Sequence, residues 1–228
     1  MLSFRLLSHR MMMCCALLCL AIFGHTSHAQ NIPGIDNNIR AGLLAEGPAS
    51  PGQEVMLAIH FEPVSTEWHG YWKNPGDAGY GMRLEWDLPD GWEAGEPQYP
   101  VPTKLLIGDL MNHIFEGSYA VLIPISVPEG AASGGVAEIG LKANWLACTD
   151  VICVPEKGEM QLAIPVGQGD YGDARFAGWK SAIPPMIDSG GAFQIRDETL
   201  RLVIPLPSGF SLSDTHIFLA ERELGDGL

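Results

Sequence analysis

Cysteine is nearly absent from this chain once an apolar leader is set aside. Of five cysteines, Cys14, Cys15 and Cys19 fall in that leader, and only Cys148 and Cys153 remain. So small a number excludes a disulfide-dense scaffold, and a packed core has to stabilise the fold. It also excludes a four-ligand zinc site, because no second cysteine pair or His-x₃₋₅-His follows. Basic residues are scarce too: 13 Lys and Arg stand against 27 Asp and Glu, for a formal charge of -14. A surface of that sign repels phosphate backbones, so nucleic acid is excluded as a partner. Beyond the leader no apolar run approaches the ~20 residues that cross a bilayer. There is no G-x-S-x-G, no P-loop and no H-E-x-x-H, and the scattered carboxylates give a glycosidase no anchor.

The leader has the parts of a secretory signal peptide over residues 1–29. Arg5 and Arg10 precede an apolar stretch at 11–23, and Ser27-His28-Ala29 is a small-x-small cleavage site. Cleavage would start the chain at Gln30. The leader carries two arginines and no acid, so its loss takes the charge from -14 to -16. Cys19 follows Leu18 rather than a small residue, which argues against a lipoprotein. The expected product is exported, in a compartment that permits disulfides.

The remainder reads as strands. Residues 31–38 are polar and suggest a mobile arm. Residues 39–46, 54–61, 82–88, 119–127, 136–147 and 159–166 have strand character, clearest where Val55, Leu57 and Ile59 alternate with Met56, Ala58 and His60. Pro124 marks its strand as an edge or a bulge. Residues 105–112 read as a loop with unusual apolar content. No 3.6-residue period precedes Gly167, so residues 39–166 are expected to form one all-β, antiparallel sandwich or barrel. After a Gly/Asp linker, residues 173–182 suit one short helix, stopped by Pro184-Pro185. Strands are expected at 193–195, 199–204 and 215–220. This second, smaller β-rich unit, 173–228, is thin for a core of its own. The chain is therefore expected to be a piece of a longer protein.

Chemistry concentrates in Trp145-Leu146-Ala147-Cys148-Thr149-Asp150-Val151-Ile152-Cys153-Val154-Pro155-Glu156. Four residues separate the cysteines, a spacing that can close a short disulfide. Two readings stay open. A structural staple across so small a loop would stabilise by only roughly 2 kcal/mol on the chain-entropy model. A redox-active dithiol would exchange through a mixed disulfide. Asp150 and Glu156 beside the pair would raise a thiol pKa and keep the dithiol a poor nucleophile until a partner docks; Asp150 equally suits an Asx-type turn. His69, His113 and Met111 are the soft donors that, with thiolates, would suit Cu(I). Structural roles for them are the plainer reading, and no metal site or cofactor is assigned. The non-catalytic alternative is thus a copper-binding or interaction sandwich with a structural disulfide.

Four segments together carry a family resemblance: Trp68-His69-Gly70-Tyr71-Trp72-Lys73-Asn74-Pro75-Gly76-Asp77, Leu88-Pro89-Asp90-Gly91-Trp92, Phe115-Glu116-Gly117 and the cysteine segment. They resemble the amino-terminal periplasmic domain of DsbD-type disulfide reductases, closest to the ScsB branch associated with suppression of copper sensitivity. The resemblance implies an immunoglobulin-like β-sandwich with a redox pair on its face, Cys153 forming the mixed disulfide and Cys148 resolving it. It implies electrons arriving from a transmembrane domain of the same polypeptide and leaving to periplasmic thioredoxin-fold isomerases or reductases. It further implies a second sandwich module and a loop that caps the cysteines. Here the spacing is four residues rather than the five of the better-known pattern. The cap position offers Leu105, Leu106, Ile107, Leu110 and Met111 instead of an aromatic, and Trp68 and Tyr71 could shape a docking surface.

Overall fold

The computed structural model describes residues 30–31, 37–167, 169, 171–186, 190–197, 199–206, 208–209 and 215–221. The leader expected over residues 1–29 lies outside them. Among the described residues thirteen strands and one helix follow in chain order: β1 (Gln30–Asn31), β2 (Ile39–Ala45), β3 (Glu54–Pro63), β4 (His69–Gly76), β5 (Arg83–Asp87), β6 (Glu93–Ala94), β7 (Thr103–Ile107), β8 (Leu110–Glu116), β9 (Tyr119–Ser126), β10 (Val136–Cys148), β11 (Cys153–Pro165), α1 (Arg175–Ala182), β12 (Ala192–Arg196) and β13 (Thr199–Val203).

Two antiparallel sheets face each other as an immunoglobulin-like β-sandwich. One runs β2-β3-β9-β6; the other runs β1-β11-β10-β4-β8-β7, with β5 also paired to β10. Strand periodicity decides what lies between them. Ile39, Leu43, Leu57, Ile59, Phe61, Val121, Ile123 and Ile125 from the first sheet meet Ile139, Leu141, Trp145, Met160, Leu162 and Ile164 from the second. Each such side chain stabilises by about 1.5–3 kcal/mol when fully buried. Pro124 is tolerated because its missing N–H points to the sheet's lightly covered side. There two-residue β6 is the neighbour, and Gly95 N donates to the Pro124 carbonyl at 2.8 Å.

The segment after the sandwich returns to it. Phe176 of α1 is 1% exposed and packs with Ala58, Ala120 and Leu122 on the outer face of the first sheet. The Asp173 carboxylate accepts the Arg175 amide at 3.0 Å at the helix start. β12 and β13 form a two-stranded hairpin. Residues 215–220, expected as a strand, form none. They lie irregularly along the sandwich, where the Asn74 side chain donates to the Leu219 carbonyl at 2.8 Å.

Three local expectations need correcting. The 31–38 arm is not free along its length: β1 pairs with β11, and the amides of Asn38 and Ile39 donate to Glu156. The apolar loop at 105–112 is a hairpin. Ile107 pairs with Leu110 across Gly108-Asp109, and Gly108 at φ 60° supplies the positive dihedral that two-residue turns need. Lys73-Asn74-Pro75-Gly76-Asp77, whose composition suits a structural turn, lies largely within β4, as a register shift between Tyr71 and Gly76.

Glu156 fastens the edges together. Its Oε1 accepts from Asn38 N and Nδ2 at 2.6 and 2.9 Å, and its Oε2 from Ile39 N and Trp145 Nε1 at 3.1 and 2.9 Å. It is 6% exposed. Hydrogen bonds to a charged group are the strong ones, and stranded donors cost extra. Glu156→Ala should therefore destabilise the sandwich by about 2–4 kcal/mol in urea denaturation.

Candidate functional site

The site is the far end of the β10–β11 hairpin. Thirteen directly opposed pairs run from Val136↔Pro165 to Cys148↔Cys153, so the cysteines are the last pair before the loop. They are joined as a disulfide with Cα atoms 4.1 Å apart. That is closer than the usual ~4.4–6.8 Å, because the two sit at a non-hydrogen-bonded pair, where strands approach most nearly. The loop is held by Thr149, not by Asp150. Thr149 N donates to the Ile152 carbonyl at 2.8 Å, and Thr149 Oγ1 accepts from Val151 N and Ile152 N, both at 3.2 Å. A hydroxyl at the first loop position suffices for this turn, so Asp150 is left solvent-exposed. Val151 and Ile152 are 88% and 52% exposed.

The two sulfurs have unlike surroundings. Cys148 is 0% exposed and clusters with Tyr71, Ile114 and Leu146, with Tyr80 and Leu105 packed against the group. Cys153 is exposed. Alternation accounts for this. Odd-numbered residues of β10, from Ala137 to Ala147, point into the core, so Leu146 and Cys148 point to the outer face. Glu156 pairs with Trp145 on the core side. It is consequently turned away from the disulfide, and its expected influence on the thiols is withdrawn. Asp150 remains on the cysteine side, where its charge acts on His69.

His69 is the neighbour that sequence reasoning could not place. It is the direct cross-strand partner of Cys148 on β4, and on its other side it faces Glu116 of β8. Directly opposed residues share a face of the sheet. Cys153, Cys148, His69 and Glu116 thus form one row across four strands. His69 is 4% exposed, and its Nε2 is buried with no hydrogen-bond partner among the described residues. Leaving such a group unpaired costs about 1–3 kcal/mol. Burial pushes its imidazole below 6.5, opposed by the charges of Asp150 and Glu116.

The other candidates separate by face. Register puts Leu105, Ile107 and Leu110 on the disulfide's side of the β7–β8 hairpin, and Leu106 and Met111 on the reverse. Leu105 meets the cysteine cluster; Leu106 and Leu110 are 61% and 49% exposed. Trp68 packs against the main core, whereas Tyr71 is in the cysteine cluster. Tyr80, missed in the sequence, joins Tyr71 there and donates to the Trp145 carbonyl at 3.5 Å. His113 is on the reverse face, its Nδ1 3.0 Å from the Asn74 carbonyl and its ring against Trp72 and Phe218. The soft donors His69, His113 and Met111 are therefore not brought together.

Fold and site together define a class: β-sandwich domains that carry a single cysteine pair at a hairpin end, one sulfur sealed and one open. The chain belongs to the family described as "Thiol:disulfide interchange protein DsbD, N-terminal", which matches residues 40–165. Among solved structures, the N-terminal periplasmic domain of ScsB from Proteus mirabilis overlays with a TM-score of 0.55 at 13% identity, covering 77% of this chain and 67% of that one. At that identity the overlay speaks for the fold. A structure titled "AvmM Catalyzes Macrocyclization in Alchivemycin A Biosynthesis" reaches a TM-score of only 0.27 at 12% identity, over 63% of this chain and 98% of that one, and carries no argument. No curated protein sequence matches. Among the described residues no helix is long and apolar enough to cross a membrane.

Acid should weaken this fold. His69 and His60 are both lowered from 6.5, chiefly by burial. Each takes up a proton more readily unfolded than folded, so the unfolded state gains as pH falls. Stability should be full above about pH 6.5 and decline as pH drops through the folded values. Urea midpoints at pH 7.5 and 5.0 measure this, and His69→Phe should reduce the difference.

Proposed function

We propose that this chain is a periplasmic thiol–disulfide exchange domain. It relays electrons through the Cys148/Cys153 dithiol to thioredoxin-fold disulfide isomerases or reductases. The observation that carries the reading is the inequality of the sulfurs. The exposed Cys153 can be reached by a partner; the sealed Cys148 is reachable only from within. In the electron-donating direction, the Cys153 thiolate attacks a partner disulfide and forms a mixed disulfide, releasing one partner thiolate. Cys148 then attacks Cys153 Sγ, the intermolecular bond breaks, and the second partner cysteine leaves with the electron pair. The partner is reduced and Cys148–Cys153 is oxidised. Exposed Val151 and Ile152 flank the open sulfur and give a docking partner apolar surface. A transmembrane domain, in the same full-length polypeptide, restores the dithiol.

The reduction potential tests this against a structural staple. Exchange requires a value above the ~-300 mV below which structural disulfides lie; a much lower value would overturn the proposal. In the reduced protein, Cys148→Ser should accumulate a mixed disulfide with a thioredoxin-fold partner, while Cys153→Ser should not.

The β7–β8 hairpin is proposed as the cap, acting through Leu105 rather than Leu106. Leu105→Ser should speed alkylation of reduced Cys148 by iodoacetamide, read in a Cys153→Ser background, about tenfold, as expected when opening a low-stability local cover becomes ~1.4 kcal/mol easier. Leu106→Ser should leave the rate unchanged. Equal effects would assign both to general loosening of the hairpin.

A further inference from the structure

We propose that His69 is the base that takes the proton from the Cys148 thiol as the pair closes on a partner-bound Cys153. The inference rests on the exchange reading above and adds a group to it. Cys148 at 0% exposure is shielded from bulk water as a proton acceptor, yet only the thiolate attacks. The row across the sheet supplies an acceptor. His69 stands directly opposite Cys148 on the same face, and its Nε2 is buried without a partner while the disulfide is closed. That vacancy has a natural occupant in the other redox state, when Cys148 carries an S–H. The orphaned nitrogen is then the oxidised half of a cycle rather than a packing fault.

The charged neighbours suit this role from each element around the ring. Glu116 faces His69 from β8 and Asp150 lies in the hairpin loop, so two carboxylates attend the imidazolium once it forms. Tyr71, two residues along β4, sets its ring edge-on at 5.7 Å from the imidazole. Burial keeps the ring neutral at pH 7, which is the form a base needs. The step balances. The Cys148 thiol proton passes to His69, the thiolate attacks Cys153 Sγ, and the partner's sulfur leaves with the electron pair. The imidazolium then returns its proton to that sulfur or to water.

Reaction of the reduced full chain with the aromatic disulfide DTNB reads the two steps separately. Cys14→Ser, Cys15→Ser and Cys19→Ser leave the pair as the reacting thiols. Cys153 releases the first thionitrobenzoate, and Cys148 releases the second on closing the ring. His69→Phe, which keeps volume and ring contact, should slow the second phase at pH 7 by about 10²-fold and change the first less than twofold. The wild-type second phase should plateau above an inflection below pH 6.5, whereas the variant's should climb tenfold per pH unit as the thiol ionises directly. His69→Gln keeps hydrogen bonding without basicity and should behave like His69→Phe. A variant second phase matching wild type in rate and pH profile would overturn the assignment of His69. Should the variants fail to fold, a wild-type profile lacking the low-pH inflection overturns it equally. A wild-type chain that releases no second thionitrobenzoate would instead sink the exchange reading itself.

Discussion

Everything at the working end depends on the register of the β10–β11 ladder. Side chains alternate with period two, so a slip of one residue would turn each of them to the opposite face. In the observed register Trp145 meets Glu156 inside the sandwich, and Cys148 meets Cys153 outside it. The same ladder therefore sets the core and the reactive face. Glu156 reinforces that choice from the core side. Its carboxylate accepts from the start of β2 and from Trp145, tying one sheet to the other three residues beyond Cys153.

The sandwich divides its labour between faces. Its interior is apolar apart from the Glu156 carboxylate and holds no thiol. Its outer faces are covered unequally. On one sheet α1 closes the surface with Phe176. On the other a small cluster of Tyr71, Ile114 and Leu146 covers Cys148 and stops short of Cys153. A disulfide sealed on one side and open on the other is directional: an incoming thiol meets one sulfur, and the electron pair can leave only on the other. The proposed exchange and the proposed proton acceptor both follow from that asymmetry. Neither calls on His113 or Met111, which lie on the opposite face of the sheet from the cysteines and His69.

Much of this was legible in the chain, because burial on one face of a strand writes itself as alternation. Val55, Leu57, Ile59 and Phe61, or Ile139, Leu141 and Trp145, announce strands and their inner sides together. The paired cysteines at a strand end were equally plain, since spacing alone brings them within bonding reach. Other parts were misread at particular residues. Leu105 to Met111 looked like a loop although Gly108-Asp109 between two apolar pairs is a hairpin signal. Asp150 looked like the turn residue where Thr149 does the work.

The sequence by itself determined an all-β fold and the identity of the cysteine pair. Each of these is local: alternation, composition and short spacing act within one strand or one loop. Only the tertiary structure decided which sulfur is sealed, that Glu156 belongs to the core, and that His69 stands beside Cys148. Those facts depend on the pairing of strands distant in the chain. That pairing is set by which apolar faces the whole sandwich can bury at once, and no local pattern records it.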